Sequence, residues 1–88
     1  MVAFAVISTV PNSELAERVS STYPNMSLIL SGNAWLVADS LKTTQEVCEK
    51  LSIMQGGFSN VIVLRIESYF GFADPTIWEW LKVKGAGP

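Results

Sequence analysis

The segment formed by residues 2–10 constrains the fold most, because nearly every side chain in it is apolar or β-branched. Successive side chains of a strand point to opposite faces of a sheet, so this strand is apolar on both faces. Such a strand is covered on both faces, or is covered on one face and used for association on the other. The segment stops at Pro11, since proline cannot donate to a strand ladder. The sequence therefore begins with a strand typical of the centre of a sheet.

A helix and a hairpin follow this strand. Leu15, Val19 and Tyr23 recur at a spacing of four, which indicates an amphipathic helix after a Pro-Asn-Ser turn. Residues 26–30 and 34–38 are short strand-like runs, and the Ser-Gly-Asn sequence between them is typical of a tight turn. The two runs therefore predict a β-hairpin.

A second helix and a fourth strand come next. Thr43 and Glu46 have the spacing of a capping box, which predicts the start of a helix. The two glycines at 56–57 are expected to end it. Residues 58–67 contain a β-branched apolar run that predicts the fourth strand.

The segment after the fourth strand ends in a short helix. Asp74 followed by Pro75 is a typical helix start and predicts a helix over residues 76–82. The element order is therefore β-α-β-β-α-β with one more helix. This order predicts a ferredoxin-like α+β fold, in which a four-stranded antiparallel sheet carries two helices on one face, plus a short C-terminal helix. We expect one domain over residues 1–83 and a flexible tail over 84–88.

Composition excludes several kinds of chemistry. The 88 residues include no histidine and one cysteine, so neither a Cys/His zinc site nor a Ser-His-Asp triad is available. Six basic and eight acidic side chains give a net charge of −2, which argues against nucleic acid as a partner. The apolar runs are too short to cross a membrane. We expect no signal peptide, because strand-like sequence follows Met1 directly, without a basic region or a cleavage site. We expect a cytoplasmic protein without a metal or cofactor.

The apolar content exceeds what two helices on one sheet face can cover, which predicts a homodimer. The first and fourth strands are apolar at both parities, and five aromatic residues follow within twelve positions. Two tryptophans two positions apart on one helix are not expected to face the same core, which leaves one for a partner chain or an adjacent strand. The aromatic cluster therefore predicts a subunit interface, with a small-molecule pocket as the alternative. The residues expected at the interface are Phe4, Val61 and Val63, or the opposite-parity neighbours of these strand residues, together with Tyr69, Phe70, Trp78 and Trp80.

Five stretches of the chain are informative when taken together. They are residues 4–8 (FAVIS), 34–37 (AWLV), 43–47 (TTQEV), 70–73 (FGFA) and 78–82 (WEWLK). In this order they resemble small stand-alone relatives of the CRISPR-associated adaptation nuclease-fold family, often grouped as the SinR family or with virulence-associated protein D. The resemblance covers nearly the whole chain and implies a ferredoxin-like fold and a dimer.

One departure from this family bears on activity. The family's nucleases carry an aspartate at the end of the first strand, where it holds a divalent metal ion at the dimer axis. The matching position here is Ser8, or at most Thr9, and neither supplies the anionic oxygen that Mg²⁺ prefers. A nuclease would need a carboxylate from elsewhere near Ser8, and Asp39 is the candidate. We therefore expect a non-enzymatic protein, with a metal-dependent nuclease as the alternative.

Ser8, Asp39, Arg65 and Glu67 together form the candidate polar site. Arg65 and Glu67 share one face of the fourth strand, which predicts a surface or interface ion pair or, less simply, a contact to a ligand. Dimeric ferredoxin-like sheets also serve as regulatory domains that bind small ligands. A ligand-binding domain is therefore the second alternative.

Overall fold

The computed structural model describes residues 1–40, 43–53, 58, 60–71 and 73–84. Its strands and helices are β1 Val2–Ser8, α1 Ser13–Thr22, β2 Ser27–Ser31, β3 Ala34–Asp39, α2 Thr44–Lys50, β4 Val61–Arg65 and α3 Pro75–Lys84. The four strands form one antiparallel sheet in the order β2-β3-β1-β4. The element order and the sheet order confirm the predicted ferredoxin-like α+β fold.

The helices α1 and α2 lie on one face of the sheet and bury its central strands. In the middle of the sheet Val6 of β1 lies opposite Trp35 of β3 on one side and Val63 of β4 on the other. Val6 and Trp35 are buried, and Val63 is half-buried. The buried members of this helix-side cluster are Phe4, Val6, Leu15, Val19, Tyr23, Trp35, Val37, Val47, Leu51 and Ile53. The predicted apolar stripe of α1 is thereby confirmed.

Both helices on this face begin with the predicted caps. Asn12 caps α1, and its Oδ1 accepts a hydrogen bond from the backbone N–H of Leu15 at 3.0 Å. Thr43 and Glu46 form the capping box of α2, in which each side chain accepts from the backbone N–H of the other residue. These bonds satisfy N–H groups that lack a partner in the first turn of a helix.

The ends of α2 and β4 differ from the sequence prediction. After α2 the chain turns at Ser52, whose φ of 59° is left-handed and does not continue a helix. The glycines expected to end this helix, residues 56–57, lie outside the described residues. Asn60 has a φ of 60°, so the regular strand begins only after it and is shorter than the predicted 58–67.

The helix α3 covers the opposite face of the same sheet. Ala3, Leu36 and Leu81 are buried there, so β1, β3 and α3 of one chain form a second cluster. The half-buried side chains packed around them are Ala5, Leu28, Ile66, Tyr69, Ile77, Trp78 and Trp80. The chain itself therefore supplies much of the second cover that β1 requires.

Both tryptophans of α3 contact this second cluster, whereas only one of them was expected to face the core. At about 100° per residue, Trp78 and Trp80 lie on either side of the buried Leu81. The two indoles thus pack as the flanks of one wide apolar stripe. The helix also includes Lys84, one residue past the predicted end of the domain, and residues 85–88 lie outside the described part of the chain.

Candidate interaction surface

Strand β4 is an edge strand, and within the described residues its one strand neighbour is β1. The backbone N–H of Ile66 donates a hydrogen bond to the carbonyl oxygen of Ala3 at 3.0 Å, so the backbone groups of Ile66 point toward β1. Along an antiparallel strand, successive residues bond alternately toward and away from the neighbouring strand. The residues of β4 whose backbone groups point to the open edge are Val61, Val63 and Arg65.

Two apolar side chains, Ile62 and Leu64, lie beside this open edge. They are 52% and 50% exposed on the face of the sheet opposite α1 and α2. Exposed apolar side chains that adjoin one another are a candidate interaction surface, whereas single scattered ones need no such explanation. Val61 and Val63 or their opposite-parity neighbours were predicted at the interface, because the sequence does not decide which parity of β4 faces the helices.

The other edge strand, β2, is better protected against pairing. Its register against β3 shifts between Ile29 and Ser31, and such an irregularity bends a strand away from a new neighbour. β4 pairs with β1 over five consecutive residues without a shift. Ile29 and Leu30 are 70% and 39% exposed, so β2 carries comparable apolar side chains, but its edge has a register shift that β4 lacks. β4 is therefore the edge more open to association.

The structure places the predicted interface residues of the first and fourth strands in different surroundings. Phe4 is completely buried in the helix-side cluster, so it contacts its own chain and has no surface left for a partner. This corrects the expectation for Phe4, and the physical reason is that its parity in β1 faces α1 and α2. Val61 and Val63 are half-buried against the same cluster, while their backbone groups reach the edge.

The aromatic residues after β4 form a shallow cleft beside α3. The rings of Tyr69 and Trp78 are stacked, with centroids 5.8 Å apart and planes 13° from parallel. Phe70 lies next to them and is fully exposed. Gly71 and Lys82 complete the lining of a space of about 350 Å³. The cleft thus has apolar walls and one positive charge.

The predicted polar site does not come together. Asp39 lies opposite Val2 at the start of β1, whereas Ser8 is the last residue of β1. A strand of this length separates the two by about 20 Å, so Asp39 supplies no carboxylate near Ser8. Ser8 is completely buried, and its Oγ accepts a hydrogen bond from the backbone N–H of Val10 at 3.4 Å.

Arg65 and Glu67 form the predicted ion pair, with 3.2 Å between Arg65 Nε and Glu67 Oε1. Their side chains are 53% and 78% exposed. An exposed pair of this kind contributes little to stability, because water and salt screen it. The pair therefore lies on the surface at the end of the open edge, apart from Ser8.

Asp39 instead connects both helices to β3. Its Oδ2 accepts hydrogen bonds from the Tyr23 hydroxyl at 2.9 Å and from Lys50 Nζ at 3.2 Å. Lys50 Nζ also lies 4.6 Å from the centre of the Tyr23 ring, and Asp39 Oδ1 accepts from the backbone N–H of Ser40. Both carboxylate oxygens are engaged within the protein, so this cluster stabilises the fold. Sequence reasoning missed Tyr23 and Lys50 as partners, because they lie 16 and 11 positions away.

The same contacts shift two pKa values. Burial by itself would raise the pKa of Asp39, but the hydrogen bonds from Tyr23 and Lys50 outweigh it and hold that pKa below its ordinary value. Burial, together with the hydrogen bond to the carboxylate, raises the pKa of the Tyr23 phenol. The charged carboxylate and the neutral phenol are therefore the forms that the fold favours.

The described residues contain no group of three or more histidine, cysteine, aspartate or glutamate side chains placed to hold a metal ion. Cys48 is half-buried against the helix-side cluster, and burial, with a smaller effect of Glu49, raises the pKa of its thiol. None of the helices in the described ranges has both the length and the hydropathy of a membrane span.

No family model matches this chain, and no curated protein matches it either. The resemblance to the CRISPR-associated adaptation family therefore stays a prediction from the sequence.

Proposed function

We propose that the chain is a non-enzymatic homodimeric domain in which β4 pairs with β4 of a second copy. The observation that carries the proposal is the straight open edge of β4, with Ile62 and Leu64 half-exposed beside it. An uncovered apolar edge strand favours pairing with another strand. Pairing with a second copy satisfies the backbone groups of the edge and covers its apolar side chains together.

A two-fold axis at Val63 gives an antiparallel pairing in which the β4 residues whose backbone groups point to the open edge lie opposite one another. Val63 then lies opposite the partner's Val63, and the two strands exchange about six backbone hydrogen bonds. Ile62 lies opposite the partner's Leu64 in a pair without hydrogen bonds, where the Cα atoms approach to about 4.5 Å. Cross-strand pairs of large apolar side chains stabilise antiparallel sheets. The same axis thus supports both the hydrogen bonds and the apolar contacts.

Sedimentation equilibrium at low micromolar concentration tests whether the dimer forms, and Leu64→Lys tests whether β4 is its interface. We expect a dimer for the natural sequence. Leu64→Lys should weaken it at least about 100-fold, because the two-fold axis places a cation in two apolar pairs at once. Ile29→Lys is the matched control, since Ile29 is an exposed isoleucine on the other edge strand and should leave the dimer intact.

Two results would overturn this proposal. One is a monodisperse species of 9.6 kDa for the natural sequence that is still folded by circular dichroism. The other is dissociation by Ile29→Lys but not by Leu64→Lys, which would move the interface to β2. Circular dichroism of both variants separates loss of association from loss of folding.

The non-enzymatic part of the proposal is supported by the distance along β1 between Ser8 and Asp39. Incubation of the purified protein with DNA and RNA in Mg²⁺ or Mn²⁺ tests it, and we expect no cleavage. Metal-dependent turnover that disappears in Ser8→Ala or Asp39→Ala would contradict this expectation. Kinship with CRISPR adaptation proteins and a cytoplasmic location stay predictions from the sequence.

A further inference from the structure

We propose that the cleft lined by Tyr69, Phe70, Gly71, Trp78 and Lys82 binds a planar aromatic carboxylate. The cleft lies within a single chain, so this site does not depend on the β4 dimer. Three features carry the proposal. They are the stacked rings of the wall, the fully exposed phenylalanine beside them and the single cation at the rim.

The wall formed by Tyr69 and Trp78 is ordered before any ligand arrives. Both residues are half-buried against the second cluster, and their rings are stacked at 5.8 Å. A Cβ placed on Gly71 would lie 3.8 Å from Trp78 Cη2, so the backbone of this loop already lies in contact range of the indole. A flat ligand can stack on rings that are already held in place without the entropic cost of ordering them.

Phe70 extends this wall and has no cover of its own. It is fully exposed, although burial of a phenylalanine side chain is strongly favourable. A ligand ring in the cleft would remove the facing side of Phe70 from water. The space of about 350 Å³ lies at the small end of ligand sites, which suits one or two fused aromatic rings.

The positive charge of Lys82 favours a negatively charged ligand. It follows Trp78 by one helical turn and therefore lies on the same side of α3. Among the described residues, no carboxylate lines the cleft and Lys82 has no ion pair. Aromatic walls by themselves also attract cations, but a lysine at the rim disfavours a cationic ligand. A carboxylate on an aromatic ring is complementary to both features.

The probe pair 2-naphthoate and 2-naphthamide tests the proposal, because the two differ in charge and hardly in shape. Binding is followed through the indole N–H resonances of the three tryptophans in ¹H–¹⁵N NMR spectra. We expect a saturable shift of Trp78 by 2-naphthoate with a Kd of about 1 mM or tighter, as for a ligand of this size. The amide should bind about two- to fivefold more weakly. Trp35, buried in the helix-side cluster, serves as the internal control and should not shift.

Charge variants of α3 complete the test. Lys82→Met should make the acid and the amide bind equally, whereas Lys84→Met, on the same helix but outside the cleft, should preserve the difference. The Leu64→Lys variant should bind 2-naphthoate as the natural sequence does, which would show that ligand binding does not depend on the dimer. The absence of a saturable shift at Trp78, or equal binding of acid and amide by the natural sequence, would overturn the proposal.

Discussion

Phe4→Ala is expected to lower the free energy of unfolding by about 3–5 kcal/mol. Phe4 is completely buried on the central strand, opposite Val37 of β3 and Arg65 of β4. Its removal empties the centre of the helix-side cluster, which the neighbouring strands cannot fill without moving. A loss of this size is a large fraction of the stability of a small domain. Urea denaturation followed by circular dichroism measures it.

Phe70→Ala is the matched control for this substitution. It removes the same side chain from a fully exposed position, so we expect a change within about 0.5 kcal/mol. The comparison also separates the two roles considered for Phe4. If Phe4→Ala dissociated a dimer but left the chain as stable as before, Phe4 would be an interface residue and its placement in the core would be contradicted.

Asp39→Ala is expected to destabilise the fold by about 2–3 kcal/mol at neutral pH. The substitution leaves the Tyr23 hydroxyl and Lys50 Nζ without the oxygen to which both now donate. Hydrogen bonds that involve a charged group are worth more than neutral ones, and a buried hydroxyl without a partner adds to the loss. Glu67→Ala removes a carboxylate from an exposed ion pair and should change the stability by less than about 1 kcal/mol.

The contribution of Asp39 should also depend on pH in a defined direction. Its pKa is lower in the folded chain than in the unfolded chain, so its stabilisation is fully present above the ordinary carboxyl value of about 4. The stabilisation is lost as the pH falls through the lowered pKa. The difference in unfolding free energy between the natural sequence and Asp39→Ala should therefore shrink below pH 4. A difference that stays constant down to pH 2 would contradict this account.

The contribution of Tyr23 to stability should depend on pH in the opposite direction. Its pKa is raised in the folded chain, so its stabilisation is present below the ordinary phenol value of about 10 and is lost as the pH rises through the raised pKa. Tyr23→Phe removes this titration. The variant should therefore lose less stability than the natural sequence when both are unfolded with urea above pH 10.

Local patterns in the sequence were sufficient to predict the helices and strands and their order. The capping box of Thr43 and Glu46 and the stripe of Leu15, Val19 and Tyr23 depend on residues within two helical turns of one another. Such patterns act through near neighbours, so they can be interpreted without knowledge of the fold. The order of the elements then left few topologies, and the ferredoxin-like arrangement was one of them.

The candidate surfaces depended on contacts between residues far apart in the chain. The sequence could not decide which parity of β4 faces the helices, since a shift of one residue in strand pairing exchanges the two faces. It therefore named Val61 and Val63 or their opposite-parity neighbours, and the structure shows that the half-exposed residues are the neighbours Ile62 and Leu64. The partners of Asp39 were missed for a similar reason, because the ends of α1, α2 and β3 meet only in the folded chain.

The amino-acid sequence by itself determined the element order, the α+β class and the requirement that β1 be covered on both faces. Only the tertiary structure decided that α3 of the same chain supplies much of the second cover and that β4 is left as the open edge. The physical reason is that the hydrophobic effect has no direction. An apolar pattern specifies that a surface is removed from water, and the packing of the whole chain decides what covers it.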